Sequence, residues 1–280
     1  MKLAAVVVFY NPSEKNIQNI KKYEKSIDRL FIVDNSEDKI MRYQDSEKIK
    51  YIKLCENKGI AHALNIGAKE AIKEGFNWLL TLDQDSQITK EIIEKLKIYL
   101  DTHDTKKIGL ISPYQDIEGE EEIKDVEAEE MIEVMTSGNI INLKAYQKIG
   151  GFKDWLFIDC VDTDYCMNLH IHGYQVLRLN KVKMKHQLGN LKVHKLFGKK
   201  YPCYNHGPIR RYYIVRNNLY INEMYKEKYP DYCKHLLRIQ KGQVKRILAF
   251  EKEKVKKLTM MYRGYKDFKK GIKGKCPYIN

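Results

Sequence analysis

The 280-residue sequence contains no apolar run close to the roughly 20 residues that a bilayer span requires. Its start, Met1-Lys2-Leu3-Ala4-Ala5-Val6, leads directly into a strand-like segment, without a signal-peptide cleavage pattern. The six cysteines (Cys55, Cys160, Cys166, Cys203, Cys233, Cys276) are scattered and form no CxxC pair. That spacing argues against a disulfide scaffold or zinc ribbon and fits reduced thiols in the cytoplasm. There is no P-loop, and no GxGxxG follows the first strand, which argues against kinase-like and Rossmann dehydrogenase chemistry. No internal repeat is evident.

What is present is a core-forming apolar fraction and a divided charge. Residues 1–180 carry 24 Lys+Arg against 31 Asp+Glu, whereas residues 181–280 carry 27 against 6. A mildly acidic body thus precedes a strongly basic tail, and such a tail suits a polyanion: nucleic acid, an anionic membrane face or a phosphorylated ligand.

The first 110 residues alternate strand and helix patterns. Leu3–Phe9, Leu30–Val33, Trp78–Leu82 and Ile108–Ile111 are short apolar runs of the kind found in buried parallel strands. Helical spacing is predicted over about 14–26, capped by Ser13, over 59–74, stopped by Gly75, and over 89–101. Alternating strand–helix units of this length imply an α/β fold, a mostly parallel sheet with helices on both faces. Residues 118–130 hold eight acids and one lysine, the composition of a solvated connection. Beyond them come a strand at 136–141, a segment at 144–149, a helix across about 160–172 and a strand at 174–178. After Gly198 the text turns Tyr-, Lys- and Arg-rich, with helical spacing and almost no strand signal. This sets a catalytic domain over 1–195 and a basic, mainly helical extension over 196–280.

In open α/β sheets ligands sit beyond the carboxyl ends of the strands. Polar clusters lie at those ends here: Tyr10-Asn11, Asp34-Asn35-Ser36 and Asp83-Gln84-Asp85. Any one of them fits an ordinary turn, since Asn, Asp and Ser favour turns, but three in succession favour a site. Asp83 and Asp85, two residues apart after a buried strand, can present oxygens to one divalent cation, Mg²⁺ or Mn²⁺. The stretch Asn57–Gly67 has small residues at a helix start, which would let a nucleotide approach the backbone. Asp159, Asp162 and Asp164 open a further helix; the helix dipole alone would favour them there, and one could instead act as a general base. His170 and His172 point to different faces and read as structural, whereas His186, at the end of the strand region, is a better metal-ligand candidate.

Together these segments resemble the family 2 glycosyltransferases of GT-A fold, most nearly their bacterial rhamnosyltransferase-like members. The likeness covers about 3–190 and rests on Val7–Asn11, Ile32–Ser36, Asn57–Ala61 with Asn65-Ile66-Gly67, Thr81–Ser86, Ser137-Gly138, Gly150-Gly151-Phe152, Phe157–Cys166 and His186–Gly189. It implies an inverting, metal-dependent transferase that moves a sugar, rhamnose from dTDP-rhamnose as the best guess, to a saccharide or lipid-linked saccharide in cell-surface polysaccharide synthesis. The nucleotide would be held by Tyr10, Asn11, Asp34, Asn57, Gly59 and Asn65, and Mn²⁺ or Mg²⁺ by Asp83 and Asp85 with His186 near. Asp162 falls at the position of the family's general base. Val161 stands where the family has Glu, which leaves Asp164 and Asp159 as further candidates for the acting acid.

The tail segment Arg210–Asn218 also resembles those members, and Arg forks suit phosphate. Arg210, Arg211 and Arg216 are therefore candidates for holding donor or acceptor phosphate, against the alternative of a helix docked through its tyrosines. Residues 232–275 form a basic stretch with an intermittent apolar stripe, Leu236, Leu237, Val244, Ile247, Leu248 and Phe250, which suits peripheral contact with an anionic membrane from the cytoplasmic side. A nucleic-acid-binding protein would use the same basic, tyrosine-rich tail but leaves Asp83 and Asp85 unexplained, so no nucleic acid partner is expected. A catalytically silent nucleotide-sugar binder is the third reading, consistent with Val161.

Overall fold

The computed structural model describes residues 1–116, 125–185, 191–196 and 198–278. Its elements run β1 (Ala4–Phe9), α1 (Glu14–Asn19), β2 (Arg29–Asp34), β3 (Ile49–Lys53), α2 (Ile60–Lys73), β4 (Trp78–Asp83), α3 (Lys90–Thr102), β5 (Ile108–Asp116), β6 (Ala128–Glu130), β7 (Asn139–Asn142), α4 (Leu143–Ile149), α5 (Val161–Ile171) and β8 (Gln175–Lys185), followed by β9 (Lys192–Leu196), β10 (Lys199–Cys203), α6 (Pro208–Tyr225), α7 (Pro230–Phe250) and α8 (Lys254–Lys269). The chain divides into two compact units. One comprises Met1–Asp154 and Val161–His186; the other comprises Trp155–Cys160 and Gln187–Asn280. The junction falls ahead of the expected residue 195, and six residues from mid-chain fold with the second unit.

The first unit is built on an eight-stranded sheet in the order β3-β2-β1-β4-β7-β5-β8-β6. The β1/β2, β2/β3, β1/β4 and β5/β8 pairs are parallel, and β7 and β6 run antiparallel to their neighbours. The expected mostly parallel α/β sheet is present. Alternation along β1 explains the helices on both faces. Leu3, Ala5, Val7 and Phe9 join Ile20, Tyr23, Ile93 and Leu96 in one core. Val6, on the opposite side, meets α2, where a Cβ added to Gly67 would lie 2.3 Å from Val6 Cγ2. Only glycine admits that approach, so Gly67 serves helix–sheet packing rather than access for a nucleotide; Ala61 and Ala63 are likewise fully buried.

Several elements depart from the sequence reading, among them β6 (Ala128–Glu130), inside the stretch read as a solvated connection. The helix expected over 14–26 stops at Asn19 and continues as two 3-10 turns, Ile20–Lys22 and Glu24–Ser26. The tighter winding accompanies complete burial of Ile20 and Tyr23. The sheet edge also has an unforeseen strand, β3, because Ile-Lys-Tyr-Ile-Lys is short and lysine-punctuated.

Among the described residues the second unit has three α-helices and a β9–β10 hairpin that the sequence reading did not anticipate. Helices α6 and α8 meet closely at Gly264, where a Cβ would lie 2.5 Å from the Tyr212 carbonyl oxygen. The apolar stripe expected on α7 is mostly spent inside this unit: Ile247 is fully buried with Val215 and Met261, Val244 packs against them, and Phe250 stacks on His194. Leu248 remains half exposed. No described helix is long and apolar enough to cross a membrane.

Candidate functional site

The connectivity of the sheet itself creates a crevice. From β1 the chain steps outward to β2 and β3, then returns to the other side of β1 as β4. At such a reversal the loops after the two strands diverge and leave an opening at their carboxyl ends. The parallel registers pair Val8 with Asp83 and Phe9 with Asp34. Tyr10, Asp34 and Asp83 therefore sit at one sheet edge, with the reversal between β1 and β4.

The turn after β4 is closed by the Ser86 N–H donating to the Asp83 carbonyl at 3.1 Å. The Asp83 N–H donates to Ser86 Oγ at 2.8 Å, and the Ser86 and Ser137 hydroxyls are hydrogen-bonded to each other. Gln84 ties the neighbouring loop down, its Oε1 accepting from the Tyr10 N–H at 2.9 Å. Asp83 is half-buried and Asp85 exposed at this braced turn. Tyr10 is exposed beside it, and Asn11 takes a left-handed φ of 45° with its N–H donating to Ser36 Oγ.

Asp34 is placed differently from its expected nucleotide-binding role. The carboxylate is fully buried and accepts from the Ser36 N–H (2.9 Å), Tyr51 Oη (2.5 Å), Arg42 Nη1 (2.9 Å) and Lys53 Nζ (3.0 Å). Burial works to raise its pKa, but the bonds from Ser36, Tyr51 and Lys53 overcome that and hold it below the usual carboxylate value. With no exposed surface, Asp34 organises cations instead of a base.

Asn65 is corrected in the same way. Its amide donates to the Phe152 carbonyl (2.7 Å) and Asp154 Oδ1 (2.5 Å) and accepts from Tyr146 Oη (2.6 Å) and the Phe152 N–H (3.0 Å). All of its capacity is used to lock α2 to α4 and to the 152–154 loop, the latter also held by His62 through Asp154 at 2.8 Å. Asn57 is half-buried. Its Oδ1 accepts from Asn35 Nδ2 and the Gly59 N–H, and Gly59 caps α2.

Helix α5 brings a further acid to this side of the sheet. Asp162, half-buried in its first turn, lines a small cavity with Thr81, Thr136, Asn139, Phe152 and Tyr165. Thr81 lies two residues before Asp83, so β4 and the start of α5 converge there. Asp164 is fully buried, with Lys153 Nζ 2.5 Å from its Oδ1. That burial distinguishes the two acids of α5: Asp162 retains an accessible part, and Asp164 acts as the anchor of Lys153. Expected structural roles hold for His170, bonded to the Met131 carbonyl, and for His172, bonded to that of Asn168. His186 lies outside the described residues.

The oxygen set at the β4 turn fits a hard divalent cation. Among the described residues no group of three or more His, Cys, Asp and Glu is arranged as a metal cage. Two carboxylates on an open turn are instead the donor set by which Mg²⁺-type ions bind together with substrate phosphates.

In the second unit, Arg211 and Arg216 are 1% and 0% exposed. Arg211 donates to Gln243 and Glu251, and Arg216 to the Gly274 carbonyl at 2.6 Å, with Tyr212 and Tyr213 against its guanidinium. The expectation that they grip phosphate is thus corrected: the helix docks through its arginines as well as its tyrosines. Arg210 is half exposed and pairs with Asp159 at 3.1 Å.

Sequence reasoning missed Arg42, Tyr51, Lys53 and Lys153, the partners that decide which acids are available. Each lies 8 to 19 residues from its acid, outside any local motif.

This arrangement, a reversing α/β sheet with acids at its carboxyl edge, defines a GT-A nucleotide-diphospho-sugar transferase fold, and similarity to known proteins agrees. Residues 5–153 match the profile of Glycosyl transferase family 2. The chain is 33% identical over 234 residues to the dTDP-rhamnosyl transferase RfbF of Shigella flexneri, spanning 76% of this chain and 77% of RfbF. Among solved structures it resembles S. aureus TarS, with a TM-score of 0.57 at 16% identity over 97% of this chain and 49% of TarS. It therefore spans about half the length of that protein. TarS 1–349 in complex with UDP gives 0.53 at 15% identity, covering 95% of this chain and 71% of that one. GalNAc-T7 with UDP, GalNAc and Mn²⁺ also gives 0.53, at 11% identity and coverages of 97% and 56%. The chain belongs to glycosyl transferase family 2. It is a glycosyltransferase enzyme that uses a nucleotide-sugar donor.

Proposed function

We propose that this enzyme performs inverting, metal-dependent transfer of rhamnose from dTDP-rhamnose to a saccharide or lipid-linked saccharide in cell-surface polysaccharide synthesis. The observation that carries this reading is the braced turn holding Asp83 and Asp85 at the β1/β4 reversal, with Asp162 converging on the same strand. Identity to RfbF supports the choice of sugar.

Asp83 and Asp85 would hold Mg²⁺ or Mn²⁺, which when bound offsets charge on the departing diphosphate. Tyr10, Asn11 and the Asn57–Gly59 backbone border the nucleoside. Asp162 takes the proton from the acceptor hydroxyl as it attacks the sugar carbon. A single-displacement reaction needs no covalent nucleophile. Arg210, the one half-exposed arginine of the three expected on phosphate, remains suited to a phosphate of donor or acceptor. The exposed side of α8, with Lys256, Tyr262, Arg263, Lys266 and Lys269, suits peripheral contact with an anionic lipid surface on the cytoplasmic side.

The test is a panel of nucleotide sugars assayed for turnover with and without Mn²⁺. Mn²⁺-dependent turnover is expected to be greatest with dTDP-rhamnose. Asp162→Asn should abolish transfer while donor binding, measured by calorimetry, stays near wild type. Normal transfer by that variant would refute the assignment of the base.

A further inference from the structure

Within the first unit, β5 runs parallel to β8 and antiparallel to β7, and β7 runs antiparallel to β4. The end of β8 therefore lies on the same edge of the sheet as the Asp83 turn that ends β4. Strand β6 pairs with β8 only at Leu177–Leu179, and Lys181, Lys183 and Lys185 follow past that point, all exposed. The chain leaving the Asp83 turn comes to the same place through Gln87, Ile88 and Thr89, which lead into α3. Ile88 is three residues after Asp85, so the two lie within about 11 Å of each other along the backbone.

A groove of about 460 Å³ lies between these two segments, a volume typical of small-ligand sites. Lys22, in the 3-10 turn after α1, and Lys95, on α3, line it together with the three lysines of β8. Among the described residues the groove has one acid, Glu91, and that is paired with Lys95 at 2.8 Å. Lys181 lies 3.6 Å from Asp125, while among the described residues no acid pairs with Lys22, Lys183 or Lys185. The hollow is also apolar in part: Ile88, Ile92 and Val182 line it and are buried. Thr89 caps α3 beside it, accepting from the Ile92 N–H at 3.4 Å, and the first amides of the helix add partial positive charge. Five ammonium groups gathered in an otherwise acidic stretch of chain repel one another until an anion enters. A concave hollow of this size suits one compact, multiply charged ligand, and lysine, a point charge, suits phosphate.

We infer that this groove is a second phosphate-binding site, separate from that of the donor diphosphate, and that it takes the phosphate-bearing end of the acceptor. Assigning the anion to the acceptor rests on the reading of the Asp83–Asp85 turn as the place of the donor diphosphate. The donor's one diphosphate is engaged there, so a second multiply charged group alongside it belongs to the other substrate.

The probe is inorganic pyrophosphate, titrated by calorimetry into the whole chain with a chelator present, so that no metal ion holds it. Wild type should bind it, with the same affinity when dTDP is saturating. The double variant Lys183→Glu/Lys185→Glu should bind at least about tenfold more weakly. A control pair, Lys69→Glu/Lys144→Glu, makes the same charge change at exposed positions of α2 and α4 and should lose no more than about twofold. Added pyrophosphate should slow hydrogen exchange at 87–92 and 181–185 in wild type. Competition between pyrophosphate and dTDP would put the anion in the donor site and overturn the inference. So would absence of binding, or an equal loss in the control pair. Binding to anionic phospholipid vesicles that the Lys183/Lys185 pair abolishes, without pyrophosphate binding, would assign the lysines to a lipid surface and overturn it too. If Mn²⁺ gives wild type no gain in dTDP affinity, it is the donor reading that fails, and the pyrophosphate titration still decides whether the groove holds phosphate.

Discussion

Strands β2 and β4 flank β1, run parallel to it and end in similar text, Asp34-Asn35-Ser36 and Asp83-Gln84-Asp85-Ser86. Their acids have opposite fates. Asp34 is sealed, with Arg42, Lys53 and Tyr51 around one carboxylate oxygen, whereas Asp85 is exposed and Asp83 half-buried. The serine after each acid also works differently. Ser36 gives its N–H to the Asp34 carboxylate, while Ser86 bonds the Asp83 backbone. The first pattern consumes the acid's charge; the second braces the turn around it. An acidic strand end becomes a strut where neighbouring segments bring cations onto its carboxylate, as Arg42 and Lys53 do for Asp34.

Substitution at the two ends should separate activity from stability. Asp83→Ala or Asp85→Ala should lower transfer about 10³-fold, near 4 kcal/mol of barrier, by removing the means of offsetting diphosphate charge. Their melting temperatures should stay close to wild type, measured by calorimetry. Asp34→Asn should do the reverse, costing about 3 kcal/mol or more in denaturant unfolding because it leaves Arg42 and Lys53 facing a neutral group in a buried place. Tyr51→Phe removes one hydrogen bond to that charge and should cost about 1.5–3 kcal/mol. A stability loss in Asp85→Ala as large as that of Asp34→Asn would erase the distinction.

Acid titration sharpens the same contrast. A carboxylate held low in the folded state contributes stability above its ordinary pKa, near 4, and loses it as pH falls toward the folded value. Asp34 behaves this way. So does Glu251 in the second unit: burial would raise its pKa, but Lys257 and Arg211 together bring it below the ordinary value. Unfolding free energy should decline below about pH 4, and Asp34→Asn should flatten that decline.

The strands and acid turns were legible because they are local: an apolar run, then Asp or Asn, is read within ten residues. The choice between strut and site was not, because Asp34 is decided by Arg42 and by Tyr51 and Lys53 on β3, a strand whose lysines hide its buried Ile49 and Tyr51. Arg211 and Arg216 read as phosphate ligands for the same reason. Nothing near them signals Glu251, 40 residues on, or the Gly274 carbonyl, 58 residues on, that turn them inward. Asn65 resembles a nucleotide contact in its motif, and only the folded 152–154 loop reveals that its amide is already committed.

The most direct measurement is calorimetric titration of dTDP into wild type, Asp83→Asn and Asp85→Asn, each with Mn²⁺ and with a chelator. The account predicts that Mn²⁺ tightens dTDP binding to wild type at least about tenfold, a coupling near 1.4 kcal/mol, and that either substitution abolishes the gain. Equal dTDP affinity with metal and with chelator in wild type, or an intact metal effect in both variants, would contradict it.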